Sequence, residues 1–382
     1  MPNLNFLKQT LSRLAHQANS TISDEWYHLW SIGIYTGPSP ASLAPAPGIK
    51  NPVLTRDDVT DARALMVADP FMIKAGGSWY MFFELYNRKS HGEIGCAVSQ
   101  DGLKWTYQCV VLAEPYHLSY PYVFEWQGEY YMVPESVRAH EVRLYRARRF
   151  PDQWDCIGTV LGGHGYADCS ILRDDERWWM WAESSQGRSD TLRLFSATDL
   201  LGPWEEHPRS PIIEWNPHLA RPAGRMVRVD GRPVRFAQNC FPDYGTEVRA
   251  FEITELSRTT YAERPLGQGA ILGPGGAGWN QHGMHHVDAH RLDNGQWIAS
   301  VDGWTKTASL LDNIHPSKCG LGNSQRSIND ASDTRGRLDP VRDRSWHHSV
   351  FHVSRGHPWV GSTLYRFGGN WVGFRFNPVA EF

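Results

Sequence analysis

The stretch VADPFMIKAGGSWYMFFE, residues 67–84, decides the fold. A polar residue before proline opens an apolar run, Gly76-Gly77 turns it, and an aromatic run returns to end in Glu84. Apolar and aromatic runs of this length broken by glycine pairs read as strands joined in a hairpin. The same phrase recurs as SYPYVFEWQGEYYMVPE at 119–135 and as ADCSILRDDERWWMWAE at 167–183. In each copy 15 residues separate the opening Asp69, Tyr120 or Asp168 from the closing Glu84, Glu135 or Glu183. Two looser copies follow. Arg221 leads through Asp230-Gly231 to Gln238, and His286 leads through Asn294-Gly295 to Asp302.

The five opening positions Asp69, Tyr120, Asp168, Arg221 and His286 are spaced by 51, 48, 53 and 65 residues. A repeat near 50 residues with several strands per unit is blade-like, so the chain is predicted to be all-β, a five-bladed β-propeller. Third strands fit the plan at 92–99, 142–147 and 191–197, each followed by a tryptophan, Trp105, Trp154 or Trp204, placed to cover the blade. The rest of the composition agrees. With 17 Trp, 15 Tyr and 15 Phe beside 35 Gly and 24 Pro, strand formers alternate with turn formers.

Residues 1–50 read as an N-terminal arm. A short amphipathic helix carries Leu4, Leu7, Leu11 and Leu14 on one stripe, and Pro38–Pro47 (PSPASLAPAP) is linker-like. The propeller is expected over 51–382. It would include a long polar loop at 316–345 and, in a C-terminal extension, closing strands at 347–353 and 363–376 that complete the fifth blade or cover its base. A formal charge of −3 from 38 basic and 41 acidic residues argues against a nucleic-acid partner. No apolar run reaches the ~18 residues of a membrane span, and the first residues lack the apolar core of a secretory leader, so a cytoplasmic location is expected. Six scattered cysteines without a CxxC pair are expected to be reduced thiols.

In a propeller the opening positions converge on the axis. Two carboxylates, a phenol, a guanidinium and an imidazole there are costly to bury unless paired or used. Either an ion-pair network of Asp69 or Asp168 with Arg221 holds the channel, or the funnel is a polar substrate site. Arg221 suggests an anionic group on the ligand, since Arg grips carboxylates and phosphates, or else it neutralises the two Asp. His286, Asp288 and His290 share one strand face and could hold zinc, while His285 points the other way; no closed-site spacing is present, so no cofactor is assigned. Trp279, Trp304 and Tyr244 could offer platforms for sugar rings.

A five-bladed propeller opening on Ala-Asp-Pro-Phe resembles the glycosidase propellers of glycoside hydrolase families 43, 32, 68 and 130. The resemblance implies a catalytic Asp on the first inner strand, matched by Asp69, and a second, tuning Asp on the third, matched by Asp168. More specifically, VADPF (67–71), EPYHLSYPYVFE (114–125), VPES (133–136), ARPAGR (220–225) and GMHHVDAH (283–290) are similar to the propeller domain at the N-terminus of plant glucosamine inositolphosphorylceramide transferases and their bacterial relatives. There a glycosyltransferase domain follows; none is read in this sequence, so transferase activity is not expected simply to carry over. The hydrolases place their acid on the fourth blade, where Arg221 stands here.

The closing acids are expected farther from the axis or at the opposite end, bonding turns in the neighbouring blade, with Glu135, which follows Pro134, able to bend to the mouth. Glu135 and His286 are the candidate acids. Glycosidic cleavage needs one group to protonate the leaving oxygen and another to attack or activate water. The expectation is therefore a carbohydrate-active enzyme acting on a carbohydrate or glycoconjugate. Its proposed catalytic residues are Asp69, Asp168 and Glu135, and its substrate contacts are Tyr120, Arg221, His285, His286, Asp288 and Trp279. A non-catalytic glycan- or glycolipid-binding module and a scaffold for protein partners are the alternatives.

Overall fold

A computed structural model describes residues 27–87, 91–185, 187–307, 362–367 and 370–375. The chain falls into two compact units, residues 1–314 and 315–382. The first is a five-bladed propeller of four-stranded antiparallel sheets. Strands β1 (Tyr27–Ser39) and β2 (Ser42–Pro45) come first in the chain. Blade I holds β3 (Ala64–Ala75), β4 (Ser78–Asn87), β5 (Gly92–Ser99) and β6 (Thr106–Leu112). Blade II holds β7 (Ser119–Trp126), β8 (Glu129–Glu135), β9 (Glu141–Arg149) and β10 (Gln153–Gly162). Blade III holds β11 (Ala167–Asp174), β12 (Arg177–Glu183), β13 (Leu192–Ala197) and β14 (Glu205–Glu206). Blade IV holds β15 (Val227–Val229), β16 (Arg232–Asn239), β17 (Glu247–Leu256) and β18 (Tyr261–Pro265). Blade V takes β19 (Val287–Arg291) and β20 (Trp297–Thr307), then β1 and β2.

Blade V corrects the reading of residues 27–50 as arm and linker. β1 pairs with β20 without interruption from Tyr27↔Thr307 to Gly37↔Trp297. Trp30, Ile32 and Ile34 are buried, and Ile32 and Ile34 pack between blades V and I. The Pro-rich segment that looks like a linker supplies β2, an outermost strand, where proline is tolerated because one edge needs no donors. The ring is thus closed from the N-terminal side. Of the C-terminal segments expected to close it, the described strands β21 (Ser362–Phe367) and β22 (Asn370–Arg375) pair with each other in the second unit. The helix expected near the N-terminus, the 316–345 loop and the 347–353 strand lie outside the described residues.

Apolar side chains interleave between neighbouring blades rather than at one centre. Phe71, Phe82, Tyr122, Met132 and Met180 fill the space between blades I, II and III. Trp179, Trp181, Leu192 and Ile253 join III to IV. Each fully buried side chain of this size contributes roughly 1.5–3 kcal/mol. The repeated tryptophans behave alike: the indole N–H of Trp105, Trp154 and Trp204 donates to a carbonyl three or four residues earlier, closing the turn before the outer strand. None of the described helices is long and apolar enough to cross a membrane.

Candidate functional site

The inner strands of blades I to III share one irregularity. Pairing jumps from Ala68↔Glu84 to Phe71↔Phe82, from Ser119↔Glu135 to Tyr122↔Val133, and from Ala167↔Glu183 to Ser170↔Trp181. One extra residue is inserted each time, a β-bulge that re-aims a side chain. The residue entering it, Asp69, Tyr120 or Asp168, has a left-handed φ of 52°, 44° or 49°. Such a conformation costs a non-glycine residue on the order of 1–3 kcal/mol. Each strained amide is held by a carboxylate from the preceding blade. Asp69 N–H donates to Asp302 Oδ2 (2.9 Å), Tyr120 N–H to Asp69 Oδ2 (3.3 Å) and Asp168 N–H to Glu135 Oε2 (3.3 Å).

The same registers correct the expected position of the closing acids. An antiparallel return strand ends level with the start of its partner, so Glu84, Glu135 and Glu183 come back to the level of the opening residues. Glu183 accepts from Ser185 N–H (2.6 Å) and its hydroxyl, bonding the turn of its own blade rather than one in the neighbouring blade as expected.

At the mouth, Arg221 Nε donates to Asp168 Oδ2 (2.6 Å) and its NH2 to Glu135 (3.3 Å), while its guanidinium lies 5.2 Å over the Tyr244 ring. Gln238 Nε2 also donates to Asp168 Oδ2 (2.7 Å). Across the funnel, His285 Nδ1 meets Asp302 Oδ1 at 2.8 Å and its ring stacks on Trp30. His285 Nε2 and His286 Nδ1 each stand 3.7 Å from Asp69 Oδ1, a buried oxygen that has no hydrogen bond. Asp69, His285 and Asp302 are the one group of ligand-type side chains among the described residues close enough together to hold a metal ion. The set proposed from the sequence around His286 and Asp288 is not such a group.

Burial pushes the Asp69 carboxyl up to about 7, with His285 opposing and Asp168 reinforcing the shift. Asp168 is also pushed up to about 7 by burial, against the pull of Arg221. Glu84 is driven well above its ordinary value by burial and then by repulsion from Asp69, Glu135, Asp168 and Asp302. Burial disfavours the His285 cation, yet Asp302 and Asp69 outweigh it and raise its pKa. Burial lowers His286 to about 4, so that ring is neutral at pH 7. Five carboxyls thus gather around Arg221 and His285, and burial with mutual repulsion favours the protonated forms of Asp69, Asp168 and Glu84.

Three of the expected substrate contacts are sealed below this layer. Tyr120, His286 and Asp288 have 0 % exposure. The Tyr120 hydroxyl bonds Ser170 Oγ and Gly224 O, and accepts from Gly224 N–H (2.6 Å). Asp288 accepts from Arg225 Nε (2.5 Å), Met72 N–H (2.5 Å) and His290 Nε2 (2.9 Å), and Arg225 also donates to Met72 O and Val123 O. Tyr120 and Asp288 thus tie the blades together, whereas neither ring nitrogen of His286 has a hydrogen bond, and all three are closed to solvent. Trp304 is 1 % exposed and so is no platform, whereas Trp279 is half-buried and packs against Gly33 and Gly303 in blade V. Among the described residues the exposed aromatics are Tyr27, Trp215, Phe241 and the expected Tyr244. Trp215 directly precedes Asn216, whose N–H binds Asp190 O, and Ser189 Oγ in that loop accepts from Arg221.

Sequence reading missed Asp302 and Gln238 as site residues, although both occupy the closing position of their repeat. It also missed Arg225 and His117, which carry no signal beyond lying in long motifs.

The bulged inner strands and the polar funnel define a five-bladed propeller of the architecture found among glycosidases. A structure from Bacteroides thetaiotaomicron, provisionally assigned as a glycosidase, superposes with a TM-score of 0.52 at 13 % identity, over 69 % of this chain and 97 % of that one. The chain belongs to the family of the N-terminal region of glucosamine inositolphosphorylceramide transferase 1, whose model matches residues 24–304. Proteins of that name from Oryza sativa subsp. japonica and Arabidopsis thaliana are 36 % and 33 % identical, over 72 % and 74 % of this chain. The chain spans about 40 % of the length of these relatives.

Proposed function

We propose that the funnel cleaves or transfers a glycosyl unit of a carbohydrate or glycoconjugate, in the cytoplasm. The observation that carries this is Asp69 Oδ1, a buried carboxyl oxygen with no hydrogen bond, set among carboxyls whose protonated forms burial favours. Glycosyl transfer needs both an oxygen free to attack or to deprotonate water and a protonated group for the leaving oxygen. Asp69 takes the first role. Asp168, fixed by Arg221 and Gln238, orients the sugar and keeps the field around Asp69 negative. Glu135, suggested as the acid from sequence, has one oxygen committed to Arg221 and to Asp168 N–H, and its role becomes positioning Asp168. With Arg221 held by two carboxylates, recognition is of hydroxyl groups more than of an anion. No cofactor is invoked.

A second reading, a non-catalytic glycolipid-recognition module, is favoured by the span of the match, since the chain aligns with only part of each transferase. Incubating the wild type, D69N and D168N with a panel of aryl glycosides, oligosaccharides and inositol glycolipids separates the two. The enzymatic reading expects turnover by the wild type, a loss of about 10³-fold or more in D69N, and retained binding. Binding without turnover by the wild type would sink it in favour of the module.

A further inference from the structure

The proposed reaction requires a proton donor, and the funnel narrows the choice. Blade IV opens with Arg221 and closes with Gln238, neither of which can release a proton at neutral pH. Glu135 and Asp168 are tied to Arg221. Asp302 is fixed by His285 and by Asp69 N–H, and Glu183 by Ser185. Glu84 is left. It is 5 % exposed, and its buried Oε1 has no hydrogen bond.

The neighbour of that oxygen is His117, from the loop that leads into blade II. Gly92 N–H donates to His117 Nδ1 (2.8 Å), which occupies the Nδ1 lone pair. A neutral ring therefore carries its hydrogen on Nε2, and Nε2 stands 3.6 Å from Glu84 Oε1. Burial, then Arg138, His91 and Arg221, lowers His117 to about 4, so the ring is neutral at pH 7. An N–H on the Oε1 side, at 3.6 Å too far for a hydrogen bond, still favours that atom as the carbonyl oxygen of a neutral carboxyl with the acid hydrogen on Oε2. The arrangement depends on glycine at 92, because a Cβ there would fall 2.1 Å from Leu118 O and 3.0 Å from both Glu84 Oε1 and His117 Cε1. Asp69, Glu135, Asp168 and Asp302 surround Glu84 and each favours the protonated form. The His117 side chain is 24 % exposed and connects the pair to solvent.

We propose that Glu84, oriented by His117, protonates the leaving oxygen in the glycosyl transfer assigned to this funnel, and the assignment rests on that reading. The Oε2–H bond breaks and its electron pair stays on Oε2. The proton forms an O–H bond with the leaving oxygen as the C–O bond to the anomeric carbon breaks toward that oxygen. The anomeric carbon is taken by Asp69 Oδ1 or by a water that gives its proton to Asp69.

Glu84→Gln matches the neutral acid in shape and charge, and two measurements on the full chain test the proposal. The infrared carbonyl band of buried protonated carboxyls at pH 7, to which Asp69 and Asp168 also contribute, is expected to contain a component in the wild type that E84Q removes and H117A shifts in frequency. Absence of that component from the wild type, or its persistence in E84Q, overturns the assignment. On the sugar that the wild type cleaves, E84Q is expected to keep its rate with a dinitrophenyl leaving group, which needs no proton, and to lose about 10²–10⁴-fold with an alkyl one. An equal loss with both, or none with either, overturns Glu84 alone and leaves the function of the funnel standing. A wild type that shows that component but cleaves no glycoside of the panel overturns the function, and the donor role with it.

Discussion

The central channel has two layers of buried charge, and they are built differently. In the lower one, Arg225 and Asp288 satisfy each other and the backbones of blades I and II, and Tyr120 bonds both sides of Gly224. In the upper one, Asp69 and Glu84 each keep an oxygen without a partner while Arg221 is shared between two acids. Residue types are nearly the same in both. Saturation separates the Arg225–Asp288 strut from the site, with His286, whose two ring nitrogens have no hydrogen bond, the exception below: a buried ionic group with its bonds made adds rigidity, and one left short retains a proton or an acceptor for something else.

The sharpest way to break this contrast is Gly224→Ala. With φ at +134° and an added Cβ 1.8 Å from Val287 O, the lower layer has no room, and a loss of about 5 kcal/mol or more, or no folded protein, is expected by chemical denaturation. Arg225→Met leaves buried Asp288 with only Met72 N–H and His290 and strips the Met72 and Val123 carbonyls of their donor, and should cost about 3–5 kcal/mol. Arg221→Met should cost roughly half of that, because Asp168 retains Gln238 and can take up a proton. Equal losses would show that the two layers do not differ.

Acidity offers a third comparison. The Asp69 carboxyl, raised by burial to about 7 from about 4 in the unfolded chain, favours its protonated form in the fold. The associated stability is complete below about pH 4 and is lost as pH rises through 7. In thermal melts D69N should therefore gain on the wild type between pH 4 and pH 8, by up to about 4 kcal/mol. A constant difference across that range would mean Asp69 is ionised throughout. The smallest effect is expected at the rim. Trp215 is 74 % exposed, so Trp215→Ala should change stability by no more than about 0.5 kcal/mol while weakening sugar binding in calorimetry.

Much of the fold was legible because blades repeat. The 15-residue interval from Asp69, Tyr120 and Asp168 to their acids is a hairpin written three times, and it located five sectors. The closure by β1 was hidden, since its partner β20 lies some 270 residues away and β2 has the composition of a linker. The division into layers was hidden for a related reason. Asp168 and Asp288 look alike as blade positions, and only the guanidinium each receives from blade IV, Arg221 or Arg225, shows which of them faces the mouth. The level of Glu84 could have been read from hairpin geometry alone, because a return strand must finish where its partner began.

The pairing of Tyr27 with Thr307 has a consequence for biosynthesis. The first strand of the ring to leave the ribosome is bound by the last, so the nascent propeller stays an open arc with bare edges until residue 307 has emerged. Sequence-distant closure of this kind slows folding. Throughout that interval β1, carrying Trp30, Ile32 and Ile34, is a sticky tail awaiting its groove, and shielding it is a task for chaperones.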